Sequence, residues 1–125
     1  MGKDETEVSE KDLYTIIIGA FPLSYPHYGE VVDQTPAADA PPAEWVGWHV
    51  DIKYVNDETT YRLDYKTLTT ALHKIARDKD LRKDLRDNCA RLAWPTPARL
   101  DAVDIDDNLA DMIIQHATLG RVAFT

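Results

Sequence analysis

The sequence predicts an α+β fold in which a small antiparallel sheet packs with three to four helices. Three observations carry this expectation. From Trp45 to Leu63 two strand-like runs flank the turn-forming Asn56-Asp-Glu58, the signature of a half-buried β-hairpin. After Asp64 the apolar spacing changes from two to three and four: Leu68, Leu72 and Ile75, then Leu81, Leu85, Cys89 and Leu92, then Leu109, Met112, Ile113 and Ala117. These are the stripes of three amphipathic helices. Finally, Gly120 is placed to cap the last helix, and Arg121-Val-Ala-Phe124 can close as a third strand.

A chain of 125 residues fits one domain spanning 1–125, with residues 1–8 expected to fray. Ser9-Glu-Lys-Asp12 has the spacing of a capping box. Leu13 to Ile18 then suits either a short helix or, through its β-branched residues, a strand; a short helix ending at Gly19 is the expectation. Pro22 and Pro26 interrupt any regular element between Phe21 and Tyr28, and the Pro/Ala-rich residues 34–43 read as a loop. In the hairpin, Val46, Trp48, Val50, Ile52 and Tyr54 share one face, and Gly47, His49, Asp51, Lys53 and Val55 share the other. Asp64 is the expected N-cap of the first long helix. Trp94-Pro-Thr-Pro97 ends the second, and the third runs from about Asp107 to Leu119.

Hydrophobic residues make up 44% of the chain and charged residues 29%, a globular composition. The single cysteine, Cys89, excludes an internal disulfide framework and a cysteine-based zinc cluster. Its place on a helical stripe predicts a buried thiol. No segment has the form of a signal peptide or a bilayer span, so a cytoplasmic location is expected. Net charge is −8, unevenly spread. Residues 1–64 carry 4 basic against 13 acidic groups, residues 65–100 carry 9 against 4, and residues 101–125 carry 1 against 5. The acidic total argues against general nucleic-acid binding, which needs a net basic face. The basic residues of 77–91 alternate with aspartates, as on a solvated helix face laced with ion pairs.

Five aspartates fall between Asp101 and Asp111. A calcium loop starting at Asp104 would find Asp106 and Asn108 at positions 3 and 5. It would also meet Leu109 where the turn glycine is required and Gln115 where the bidentate glutamate is required. Helix capping explains Asp106 at the N-cap and Asp107 in the first turn, and leaves Asp101 and Asp104 without a local role. His27, His49, His73 and His116 show no metal-ligand spacing, and GxSxG, P-loop and GxGxxG motifs are absent. A Ser24–His27 pair has no supporting context. No catalytic, cofactor or metal-ligating residue is therefore assigned, and no cofactor is expected. The candidate contact residues are Tyr25, His27 and Tyr28, held among prolines as low-entropy contact area, together with Asp101, Asp104 and Asp107.

The stretch "DIDDNLADMIIQHATLGRVAFT" resembles the ending of a group of small accessory proteins from tailed phages of actinobacteria. Asp104, Asp106, Ala110, Asp111, Ile114, Gln115, Leu119, Gly120 and Val122 match that ending, whereas Arg121, Thr118 and Phe124-Thr125 depart from it. The early "LYTIIIGAFPLSYPHYGEV" is similar to the group's helix, glycine turn and aromatic segment, with its Gly-Gly pair broken. The resemblance implies a phage accessory protein in the infected bacterial cell and transfers no catalytic residue. The expected function is binding to a host or phage protein, without direct contact to nucleic acid or membrane. The alternatives are an acidic DNA mimic that inhibits a nucleic-acid enzyme, and a small enzyme lacking a recognisable motif. A homodimer could form through the terminal strand.

Overall fold

Ser9 opens the first element: its Oγ accepts the Asp12 N–H at 3.1 Å and starts α1 (Glu10–Leu13). A π-helical turn over Tyr14–Ile18 continues it, so the ambiguous segment is helical. The computed structural model describes residues 8–18, 29–35, 41, 46–55 and 57–121. Three strands follow, β1 (Gly29–Thr35), β2 (His49–Tyr54) and β3 (Thr60–Asp64), then α2 (Tyr65–Arg77), α3 (Lys83–Ala93), α4 (Pro97–Asp101) and α5 (Asp107–Leu119). The architecture is α+β, with an antiparallel sheet ordered β1-β2-β3.

The third strand of this sheet is β1, which the sequence pattern did not predict. The expected strand at 121–124 lies outside the described residues except for Arg121, which sits in a bend. Gln34 and Thr35 were expected in the Pro/Ala-rich loop and instead pair with Val50 and His49 at the end of β1. A β-bulge hides this strand from period-two reading. Val31 pairs with Ile52 and Asp33 pairs with Asp51, which leaves Val32 as the extra residue. Val32 is exposed, and every residue after it has its face reversed.

The hairpin forms as its alternation predicts. Val50, Ile52, Tyr54 and Leu63 are buried. Asp57 closes the turn by accepting from the Thr59 N–H at 2.8 Å and from the Tyr61 hydroxyl at 2.9 Å. Val46 does not join the inner face and is 77% exposed. It lies in a turn with Gly47, whose φ of 74° is accessible to glycine without strain. Trp48 is buried, donates from Nε1 to the Glu10 carbonyl at 2.8 Å, and meets Tyr14 edge-on at 5.3 Å between ring centroids.

The Asp64 carboxylate caps α2 through the Thr67 N–H at 2.8 Å. Helix α2 packs against both α3 and α5 and buries Leu68, Ala71, Leu72 and Ile75. Helix α3 contributes Leu85, Cys89 and Leu92. The buried apolar stripe of α5 is Leu109, Ala110, Ile113 and Ile114, with Asp111 and Gln115 buried beside it; Met112 and Ala117, expected on it, pack at its margin. Gly120 ends α5 in the left-handed conformation, as the sequence predicts. Tyr54 ties the sheet to α5 by a 2.8 Å hydrogen bond between its hydroxyl and Thr118 Oγ1, and burial pushes its pKa up to about 12. Val8, within the segment expected to fray, is buried, and its carbonyl accepts the Tyr65 hydroxyl at 2.8 Å. Among the described residues, no helix is long and apolar enough to cross a membrane.

Candidate functional site

The approach to α5 explains the aspartates that capping alone did not. Leu100, Val103 and Ile105 are half-buried and pack against the core, while Asp101, Asp104, Asp106 and Asp107 are exposed. Apolar residues thus anchor this segment from within, and carboxylates occupy the positions between them. Two further devices fix its path. Thr96 caps α4 through the Arg99 N–H at 3.1 Å, with Pro97 in the first turn where its fixed φ suits the helix. Buried Asn88 of α3 accepts the Asp104 N–H at 2.8 Å.

Asp106 spends one oxygen on the Leu109 N–H at 2.8 Å, and Asp107 accepts from the Asn108 N–H at 2.9 Å. Among the described residues, none of Asp101, Asp104 and Asp107 is ion-paired. Nor do three of these four carboxylates bring oxygens close enough together to hold a cation. The segment is a surface of like charges rather than a ligand cage. Tyr25, His27 and Tyr28, the other candidate contact residues, lie outside the described residues.

The basic residues of the middle region are largely engaged within their own stretch of chain. Arg82 pairs with Asp84 at 2.6 Å and Lys83 with Asp87 at 2.7 Å. Both carboxyl groups are thereby held below the usual carboxylate range, chiefly by hydrogen bonds from Arg82 and Lys83 respectively. Arg86 donates to the Leu81 carbonyl at 2.9 Å, and Arg77 lies over the Trp94 ring at 5.4 Å.

The outer face of the sheet carries a second polar group that the spacing of histidines gave no sign of. Residues 49 and 51 of β2 point away from the core face, and β-pairing sets Asp33 directly across from Asp51. Asp33, His49 and Asp51 each place one potential ligand atom within 4.8 Å of the other two. His49 Nε2 is 3.5 Å from Asp33 Oδ2. Arg62 of β3 forks onto Asp51 at 2.9 and 3.0 Å, and this hydrogen-bonded guanidinium holds the Asp51 carboxyl below its ordinary range. A cleft of about 320 Å³ opens beside them, lined in part by Glu10, His49, Arg62, Asp64 and Lys66.

Cys89, His73 and His116 are packed against the core or its neighbouring elements. Cys89 is fully buried, and burial pushes its thiol up to about 12, which suppresses the thiolate needed for nucleophilic attack. His73 hydrogen-bonds through Nδ1 to the Thr69 carbonyl at 2.9 Å and stacks edge-on with Trp94. His116 lies against α2, where burial lowers its pKa.

Comparison of the chain with protein-family models, with curated proteins and with solved structures finds no match in any of the three.

Proposed function

We propose that this chain is a non-catalytic accessory protein, of the kind encoded by actinobacterial phages, that works by binding a basic surface on a host or phage protein. The carrying observation is the row of exposed carboxylates at Asp101, Asp104 and Asp107. They stand on a segment fixed by Asn88 and Thr96 and have no cationic partner among the described residues. Like charges on one surface segment repel one another and lower the stability of the fold. A partner bearing lysines or arginines relieves that repulsion and is steered to the surface by it. The likeness of residues 104–122 to phage accessory proteins supports the same reading. DNA mimicry is less well supported, because the basic residues from Lys66 to Arg99 interrupt the acidic surface that a mimic needs.

The test is affinity capture from an actinobacterial lysate by the wild-type chain and by the triple variant D101N/D104N/D107N. The expected result is a partner with a basic contact face that the wild type retains and the variant loses, with capture weakening as salt rises. The double variant D101N/D104N, which keeps Asp107 at the helix start, should also unfold at an equal or higher temperature than the wild type, since removing uncompensated charge exchanges binding for stability. Capture that is indifferent to the triple substitution would overturn the proposal.

A further inference from the structure

We infer that Asp33, His49 and Asp51 form a binding site for a divalent transition-metal ion such as zinc on the outer face of the sheet. The bulge at Val32 makes the site possible. Val31 faces the core opposite Ile52, so in an unbroken ladder Val32 would lie opposite Asp51 and Asp33 would turn inward. The extra residue reverses the alternation, bringing Asp33 beside Asp51 and His49 and directing Gln34 to the inner side, where it donates to the Tyr14 hydroxyl. Bulges recur where a strand must re-aim a functional side chain.

The spacing of His49 and Asp33 suits a shared metal ion better than it suits a hydrogen bond between them. His49 Nε2 is screened from solvent and has no hydrogen-bond partner among the described residues, and a buried polar atom left in that state is costly. Its neighbour, Asp33 Oδ2, is 3.5 Å away, longer than a good hydrogen bond. Two ligands each about 2.0–2.1 Å from a tetrahedral zinc ion lie roughly 3.3–3.4 Å apart, close to that separation. The two carboxylates carry two negative charges, of which Arg62 offsets one, so the group keeps a net negative charge that attracts a cation. The imidazole favours a borderline-soft ion over calcium or magnesium, which take oxygen ligands. Arg62 occupies one acceptor site on each Asp51 oxygen, and each oxygen retains another. The guanidinium thus fixes the orientation of the carboxylate and leaves the lone pairs that point away from the fork for a metal, as partners of ligating carboxylates commonly do. Three protein ligands leave a fourth position open to water or to a donor from a bound molecule.

Isothermal titration of zinc chloride alone into the full chain tests this. The expected result is saturable binding of one ion per chain, weakened roughly tenfold or more by D33N and by H49Q, and unchanged in an H73Q/H116Q variant. Asp33 has 63% of its side chain exposed, so D33N should keep the fold and decides the matter even if H49Q does not fold. Absence of saturable binding, or binding that D33N leaves intact, would overturn the inference.

Discussion

Asn88 and Asp104 are joined by a 2.8 Å hydrogen bond from the Asp104 backbone N–H to the Asn88 side-chain oxygen, spanning sixteen residues of chain. The same oxygen accepts from Arg91 at 3.2 Å, and the Asn88 amide donates to the Asp84 carbonyl at 3.0 Å. One buried amide thus clamps the acidic approach to α5 onto α3. Replacing it with alanine removes the acceptor while leaving its donors in place. Asn88→Ala is expected to destabilise the fold by about 1–3 kcal/mol, read as a lower urea midpoint at unchanged slope. It should also weaken partner capture without changing any surface charge.

The aspartates of this segment separate by role when replaced singly. Asp106→Ala removes the acceptor for the Leu109 N–H and is expected to cost about 0.5–2 kcal/mol, whereas Asp106→Asn keeps the cap and costs little. Asp101→Asn and Asp104→Asn remove repulsion and nothing else, so their stability should stay level or rise. Thermal unfolding of the four variants checks the ordering. A loss at Asp101 or Asp104 as large as that of Asp106→Ala would show a structural role that the geometry does not contain.

Gly120 closes the other end of the same helix with φ at 82° and its N–H on the His116 carbonyl at 3.2 Å. There is open space where a Cβ would point, so the cost of Gly120→Ala is conformational alone. It is expected to be about 1 kcal/mol, measured as a lower melting temperature with unchanged helical content in the native state.

These outcomes bear on what could be read from sequence. Elements whose local signals agree were legible: the β2–β3 alternation closed by Asp57, the caps Ser9, Asp64 and Asp106, and Gly120 in the left-handed conformation. Strand β1 was not, because the bulge at Val32 breaks period two at its centre and leaves two adjacent valines that point to neither template. Asp33 and Asp51 escaped notice for the same reason. They lie eighteen residues apart and meet only through a register that an unpaired residue sets. Among the sequence-predicted contact residues, Asp101, Asp104 and Asp107 are exposed as their polarity implies. The reason for their placement, inward Leu100, Val103 and Ile105, mixes spacings of two and three and so matches neither a strand nor a helix pattern.

Cys89 provides a clean probe of global opening. It sits in the core between Leu85 and Leu92 with its thiol pushed up to about 12. Both effects, exclusion of reagent and loss of thiolate, act only in the folded state. Labelling with a thiol-reactive disulfide reagent at neutral pH should therefore be far slower in the native chain than in urea. The logarithm of its native rate should increase in Asn88→Ala in proportion to the lost stability. Rapid native labelling would place Cys89 in a region that opens locally.

Acidification should weaken the fold through one histidine and through carboxylates whose pKa hydrogen-bonding partners lower, of which Asp51 is the most buried. His116 has its pKa lowered below the ordinary 6.5, chiefly by burial and in part by Lys74, with Asp78 opposing. The unfolded chain therefore binds a proton more readily than the folded one. This contribution is complete above about pH 6.5 and is lost as pH falls from there toward the folded-state value. Asp51 is held below its ordinary 3.8 mainly by the Arg62 hydrogen bonds. Its contribution is complete above that value and is lost as pH falls through the lower, folded-state pKa. Urea midpoints measured from about pH 8 to about pH 3 should therefore show an upper decline that His116→Gln removes and a lower one that Arg62→Gln shrinks. An upper decline that persists in His116→Gln would assign it to a different group.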